Sequence, residues 1–289
     1  VQGISTGFIV VSKRAFFVDV YEGKERKHYL SMMSIIWSSA PVIAPFIGGY
    51  LQKYFHWQSN FYVLGAYGLV MLILEWIYSG ETNPAWRSFK LSSVLNDYKT
   101  MLQSRFFVSG LIVCGLCYGT TMLFALSGPF IIEHKMGYSE VTAGYASLMM
   151  GLAWMIGGFV GKASLDRPLL PKLKLSNALH FLFALLMVFT VSYADNLYSL
   201  LVFAFLIHVC VGFIFNNYFA ICLGYFPNMA GLTSGMSGGT TFIITSITSY
   251  TMVSFFQPQA QNSLGLTYLM MAAMIAFILY FLLKRNALK

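Results

Sequence analysis

His208 is the residue of this chain best suited to exchange a proton close to neutrality. An imidazole's unperturbed pKa lies near 6.5, and His208 stands about midway along the apolar run from Leu197 to Leu223. Asn216 and Asn217 follow two turns on, with Gly212 between. At about 3.6 residues per turn, His208 and Asn216 fall near one helix face, so the spacing predicts a polar stripe facing a central cavity. A neutral histidine hydrogen-bonded to a neighbouring helix is the other use of the same residue. Phe213, Tyr218, Tyr118 and Phe124 would supply aromatic walls for a flat, lipophilic ligand, or serve as ordinary packing.

Other reactive residue types are scarce. An ionisable group in hydrocarbon is costly, so each one inside a span is a functional candidate. Of the ten acidic residues only Asp19 and Glu75 fall within spans, both near the inner ends. Asp19 beside Lys13 and Arg14 reads as an ion pair or cap, and Glu75 beside Trp76 as an interfacial anchor. Cys114 and Cys117 form a C-x-x-C, but no further Cys or His stands at ligand spacing, so small packing residues are expected and no metal. The chain has no G-x-x-x-x-G-K-[ST] phosphate loop, which argues against ATP-driven pumping. No nucleophile, base and metal set converges, so an enzyme is not expected, and neither is a cofactor beyond a proton gradient.

The elements that must position these residues are membrane spans. The chain is 57% hydrophobic and 10% charged, with mean hydropathy +0.68, against roughly 25% charged residues in a soluble domain. A span needs about 20 mostly apolar residues. Such runs occur near Ile35 to Leu51, Phe61 to Tyr78, Phe106 to Ile131 and Val141 to Gly161. Four more follow, near Ser176 to Tyr193, Leu197 to Leu223, Gly231 to Phe256 and Leu266 to Leu283. Val1 to Val11 stops at Lys13 and Arg14, too short for a span, and reads as the tail of a helix already under way. No initiator Met precedes it, and an amino-terminal truncation is expected.

All of the 18 Lys and Arg residues except Lys53 and Lys135 gather in alternate loops. By the rule that basic loops stay inside, these loops and the carboxyl terminus are cytoplasmic. The net charge of +8 is thus a topology signal, and nucleic-acid binding is not expected, because no single basic face forms.

The polar stretch from residue 80 to 104 divides the chain. Residues 1–79 form one set of three helices and 105–289 a six-helix bundle, with 80–104 as a cytoplasmic linker. Leu91, Val94, Leu95 and Tyr98 in the linker have helical spacing, as for an amphipathic helix on the inner membrane surface or a solvated connection. Ala40, Pro41, Ala44, Pro45, Gly48 and Gly49 combine small residues, which let helix backbones approach closely in lipid, with prolines that bend the helix. Gly235, Gly238 and Gly239 nearly repeat the Ala44, Gly48, Gly49 spacing six spans later, as parallel duplicated halves would.

These residues resemble the major facilitator superfamily, and within it the drug/proton antiporters of the bicyclomycin and chloramphenicol resistance type. Ala40 to Gly49 resembles the antiporter motif of the fifth helix, and Gln2-Gly3 the end of the fourth-helix motif. Gly128-Pro129-Phe130-Ile131 with Gly137-Tyr138-Ser139 and Gly144 resembles the passage from the seventh to the eighth helix. Phe226-Pro227 with Ala230 to Gly235 resembles the start of the eleventh. Gly161, Asp166 and Arg167 resemble a degenerate gating-loop motif with one extra residue.

The resemblance implies an all-α membrane protein holding the fourth to twelfth of twelve helices. It would sit in a bacterial inner membrane as a monomer, its partners being the bilayer, a small-molecule substrate and protons. Its function would be proton-driven drug efflux by alternating access. Carriage of a physiological solute (a siderophore, sugar or amino acid) and a non-functional truncated protein are the alternatives.

Overall fold

The computed structural model describes residues 2–21, 25, 43–44, 46–80, 91–164, 167–226 and 229–286, and all regular structure among them is helical. In chain order the helices are α1 (Gln2–Val20), α2 (residues 46–55), α3 (Gln58–Tyr78), α4 (Leu91–Gln103) and α5 (Arg105–Phe130). Then come α6 (Glu140–Ala163), α7 (Leu169–Thr190), α8 (Leu197–Gly224), α9 (Ala230–Phe256) and α10 (Gln261–Asn286). Helices are the expected solution, since lipid offers no partner for backbone N–H and C=O groups and a helix satisfies its own. α3, α5, α6, α7, α8 and α10 are each long and apolar enough to cross a bilayer. α9 has the length, 27 residues, but carries Ser or Thr in every turn.

Local signals set several helix starts. Ser104, Ser139 and Asn196 are N-caps whose side-chain oxygens accept from the N–H groups of Phe107, Thr142 and Ser199 at 3.4, 3.3 and 3.0 Å, satisfying donors a first turn leaves unpaired. Helices also run further than their apolar runs. α7 begins at Leu169 rather than Ser176, and α10 at Gln261 rather than Leu266, because polar first turns are helical without being apolar. α1 continues through Lys13 and Arg14 to Val20, since nothing after the basic pair breaks the helix. α5 contains Pro129 and is extended by one π-helical turn, Ile131–Lys135, before Gly137 turns the chain at φ 74. The linker spacing does form a helix, α4, but Leu95 is 58% exposed while Met101 is fully buried and Tyr98 packs on the core.

α5 to α10 pack as one bundle, with α8 against α5, α6 and α7, α10 against α7 and α5, and α9 against α5. Glycines bring the helix backbones close, the main route to packing in lipid. A Cβ on Gly110 would meet Tyr218 and Cys222 of α8, and one on Gly115 would meet Ile244 of α9. The Thr245 hydroxyl donates to the Gly115 carbonyl at 2.9 Å. All four cysteines are buried and free, as packing residues should be. α1 lies against α9. α3 is apolar and open on nearly every side, with Ser59 alone buried.

Lys135 at the end of α5 pairs with Asp195 in the α7–α8 connection at 3.1 Å, both side chains more than a third exposed. Exposed pairs contribute about 0–1 kcal/mol. Asp195→Asn is therefore expected to leave the thermal melt of the purified protein almost unchanged; a large drop would mean the pair is shielded from water.

Candidate functional site

Four helices contribute rings to an aromatic cluster, one each from α5, α6 and α9 and two from α8, with Tyr118 and Phe242 near the middle of their helices. Tyr118 of α5 packs edge-on against Trp154 of α6 at 6.0 Å and Phe242 of α9 at 5.8 Å, and lies 6.1 Å from Phe215 of α8. Trp154 and Phe215 are 5.1 Å apart, and Phe219 stacks beneath Phe215 at 5.0 Å. Phe215 and Phe219 are buried, Tyr118 and Trp154 half-buried, and Phe242 is 39% exposed. The result is a graded aromatic wall with an open rim. Such a surface offers π faces to flat apolar molecules, with the Tyr118 hydroxyl as its polar handle.

The wall exists because α6 and α8 touch backbone to backbone. A Cβ on Gly157 would collide with the Val209 carbonyl oxygen, and one on Gly212 would come within 2.6 Å of the Trp154 carbonyl oxygen. These glycines draw Trp154 and Phe215 together.

The sequence-level candidates divide among different surroundings. Tyr118 belongs to the wall. Phe124 does not; it is buried in the core, edge-on to His208 at 5.8 Å and against Gly128. Phe213 packs against the core beside Gly157. His208 and Asn216 are separated rather than joined in one stripe. His208 is buried among Phe124 and Tyr268, whereas Asn216 faces Gly158 and Asn217 faces Gly161 across the α6–α8 seam. Both asparagines donate to the carbonyl one turn back, Gly212 and Phe213, at 2.9 Å. At 3.6 residues per turn, eight residues carry a drift of about 80° past two full turns, enough to put His208 against different neighbours.

Of the fifth-helix motif, Ala40, Pro41 and Pro45 lie outside the described residues, and Ala44 is exposed. Gly48 faces the Asn60 side chain. A Cβ on Gly49 would lie 3.2 Å from the Glu140 carbonyl oxygen and 3.7 Å from Gly144 Cα at the start of α6. Tyr50 and Tyr145 hydroxyls share a hydrogen bond of 2.9 Å beside it. Gly161 is inside α6, not in a loop, because that helix continues to Ala163. Asp166 lies outside the described residues, and Arg167 is exposed, its N–H bonded to the Ser164 carbonyl. Among the described residues no group of His, Cys, Asp and Glu could hold a metal.

Sequence reasoning passed over Trp154, Phe215 and Phe242, and also over His180, which is fully buried on α7. Trp154 is the last Trp of the chain, far from either end of its span, where an interfacial anchor would not sit. His180 is an ionisable residue in an apolar run, a signal as plain as His208.

Residues 1–249 match the Major Facilitator Superfamily. The chain is 30% identical over 241 residues to the Multidrug resistance protein MdtL of Shewanella oneidensis, covering 82% of this chain and 60% of that protein. It is 25% identical over 257 residues to the uncharacterized MFS-type transporter YdgK of Bacillus subtilis, covering 86% and 63%. With the Bicyclomycin resistance protein homolog of Haemophilus influenzae the identity is 24% over 299 residues, covering 99% and 72%. The chain thus spans about 60% of the length of the MdtL relative it matches. A family match across most of the chain, on a bundle of bilayer-length apolar helices, means that this is a multi-pass membrane protein belonging to the major facilitator superfamily of transporters.

Proposed function

We propose that the protein exports drugs or other small lipophilic molecules across a bacterial inner membrane in exchange for protons, as a monomer with its carboxyl terminus in the cytoplasm. The aromatic wall of Tyr118, Trp154, Phe215 and Phe242 carries this reading. Its rings lie well inside their helices, and an alternating-access carrier needs its site near the bilayer midplane; π faces of this kind suit flat apolar cargo. The relatives named for multidrug and bicyclomycin resistance support the substrate class. Residues 1–79 and 105–289 would be parts of the two bundles that rock about the site, joined by 80–104.

The seat of Gly49 on α6 is then a contact that must part and re-form in each cycle. Gly49→Leu would place a branched side chain against the backbone at Glu140 and Gly144, so efflux should fall severely with protein level retained. Unchanged efflux would sink that role. The reading as a whole is tested with the full-length protein and a panel of flat lipophilic dyes and antibiotics, with and without a protonophore. Expected is extrusion that the protonophore abolishes. Extrusion of none of the panel, or extrusion indifferent to the protonophore, would overturn it.

A further inference from the structure

His180 of α7, His208 of α8 and Tyr268 of α10 all lie in the interior of the bundle, where α7 packs against both α8 and α10. All three are buried, at 0%, 2% and 0% exposure. The His208 and Tyr268 rings are 6.3 Å apart, edge to face, and His180 lies within electrostatic reach of His208. Asn177, one turn before His180, donates to the Ala272 carbonyl of α10 at 3.0 Å, which fixes α7 and α10 side by side at this level.

The hydrogen bonding is incomplete in an informative way. His208 Nδ1 lies 2.7 Å from the Ala204 carbonyl oxygen. A carbonyl can only accept, so Nδ1 carries the hydrogen and Nε2 is left with a lone pair. Both ring nitrogens of His180, the Tyr268 hydroxyl and Asn177 Oδ1 have no partner among the described residues. Unpaired polar groups in such surroundings cost free energy, and an ionisable residue in hydrocarbon marks function by default.

We propose that His180, His208 and Tyr268 form one proton-binding site that holds a single proton between the two imidazoles; this deepens the proton-exchange reading above and rests on it for any role in coupling. A proton delivered by water adds to the lone pair of His208 Nε2 and returns to water on release; no other bond changes. The resulting imidazolium donates from Nδ1 to Ala204, and Nε2–H finds its acceptor in the neutral His180 ring or the Tyr268 oxygen, directly or through one water. Such charge-assisted bonds offset part of the cost of burial. A second proton would put two like charges within electrostatic reach of each other in a buried site, so the pair takes one.

Nothing else nearby competes for the charge. On the packed helices the charged residues sit near the ends: Arg105 of α5, Glu140 and Lys162 of α6, Lys172 and Lys174 of α7, Lys284 and Arg285 of α10, while α8 and α9 have none. Besides Tyr268, the nearest titratable residue along α8 is Cys210, two positions from His208.

The test is a ring ¹⁵N titration of histidine-labelled full-length protein in lipid nanodiscs, from about pH 8 to about pH 5. Expected is uptake of one proton by the pair. His180→Phe, which removes the acceptor, should weaken that uptake about tenfold, moving it roughly one pH unit toward acid, and Tyr268→Phe should move it the same way. Both rings staying neutral throughout would overturn the proposal, as would two rings each taking a proton independently. The wild-type titration decides this even if a variant fails to fold. Because it is an equilibrium measurement it is separable from transport: protonophore-insensitive efflux would end the antiport reading and leave the proton site standing, whereas a proton-silent pair with protonophore-sensitive efflux would end the site alone.

Discussion

Gly157→Leu should leave little folded protein in the membrane. The position offers no room in any rotamer, because the conflict begins at the Cβ, which would collide with the Val209 carbonyl oxygen and lie 2.7 Å from the Phe213 nitrogen. Both are backbone atoms of α8 and cannot turn aside as a side chain would. Gly212 makes the reciprocal approach to the Trp154 carbonyl, so the α6–α8 seam, the most extensive in the bundle, would have to open along its length. Side-chain overpacking costs about 1–3 kcal/mol, and a conflict with backbone should reach or exceed the upper end of that range. Monodisperse yield and thermal melting in detergent provide the measurement. Gly235→Ala and Gly239→Ala are the controls, since a Cβ there meets nothing within 4 Å among the described residues; they should melt as the parent does. If Gly157→Leu melts with them, the close contact is not what holds α6 to α8.

Trp154→Ala should weaken apparent affinity for flat aromatic substrates by about 30-fold while sparing compact ones. Large buried aromatics at the centre of a contact region cost about 2 kcal/mol or more on truncation, and Trp154 is the ring that joins Tyr118 to Phe215. Its side chain is half-buried, and the closest approach across the seam, that of Gly212, is to its backbone atoms rather than its ring, so protein level should largely hold, and Trp154→Phe should recover part of the loss. The half-saturating concentration for efflux, measured across a series from flat to compact compounds, is the readout. A uniform loss across the series would point to damaged folding; no loss would remove Trp154 from the substrate path.

How much of this was legible beforehand varies by residue. The α8 span, Leu197 to Leu223, was visible almost to the residue, because its run is apolar and Asn196 caps it. The starts of α7 and α10 were not, because Lys172, Lys174 and Gln261 are polar yet helical. The repeat spacing of Ala44, Gly48 and Gly49 with Gly235 and Gly239 was plain, but not that Gly49 is seated on α6 while Gly235 and Gly239 are open among the described residues. His208 stood out on hydropathy alone. Its neighbours His180 and Tyr268 are distant in sequence, and no period within one helix could bring the three together.

The sequence by itself determined that this chain crosses a membrane and roughly where, because length, hydropathy and backbone hydrogen bonding are properties of each segment alone. Only the tertiary structure decided which rings meet and which helices the buried histidines are packed between. That choice depends on the rotation of each helix about its axis, and the rotation is fixed where Gly157 and Gly212 let α6 and α8 close on one another.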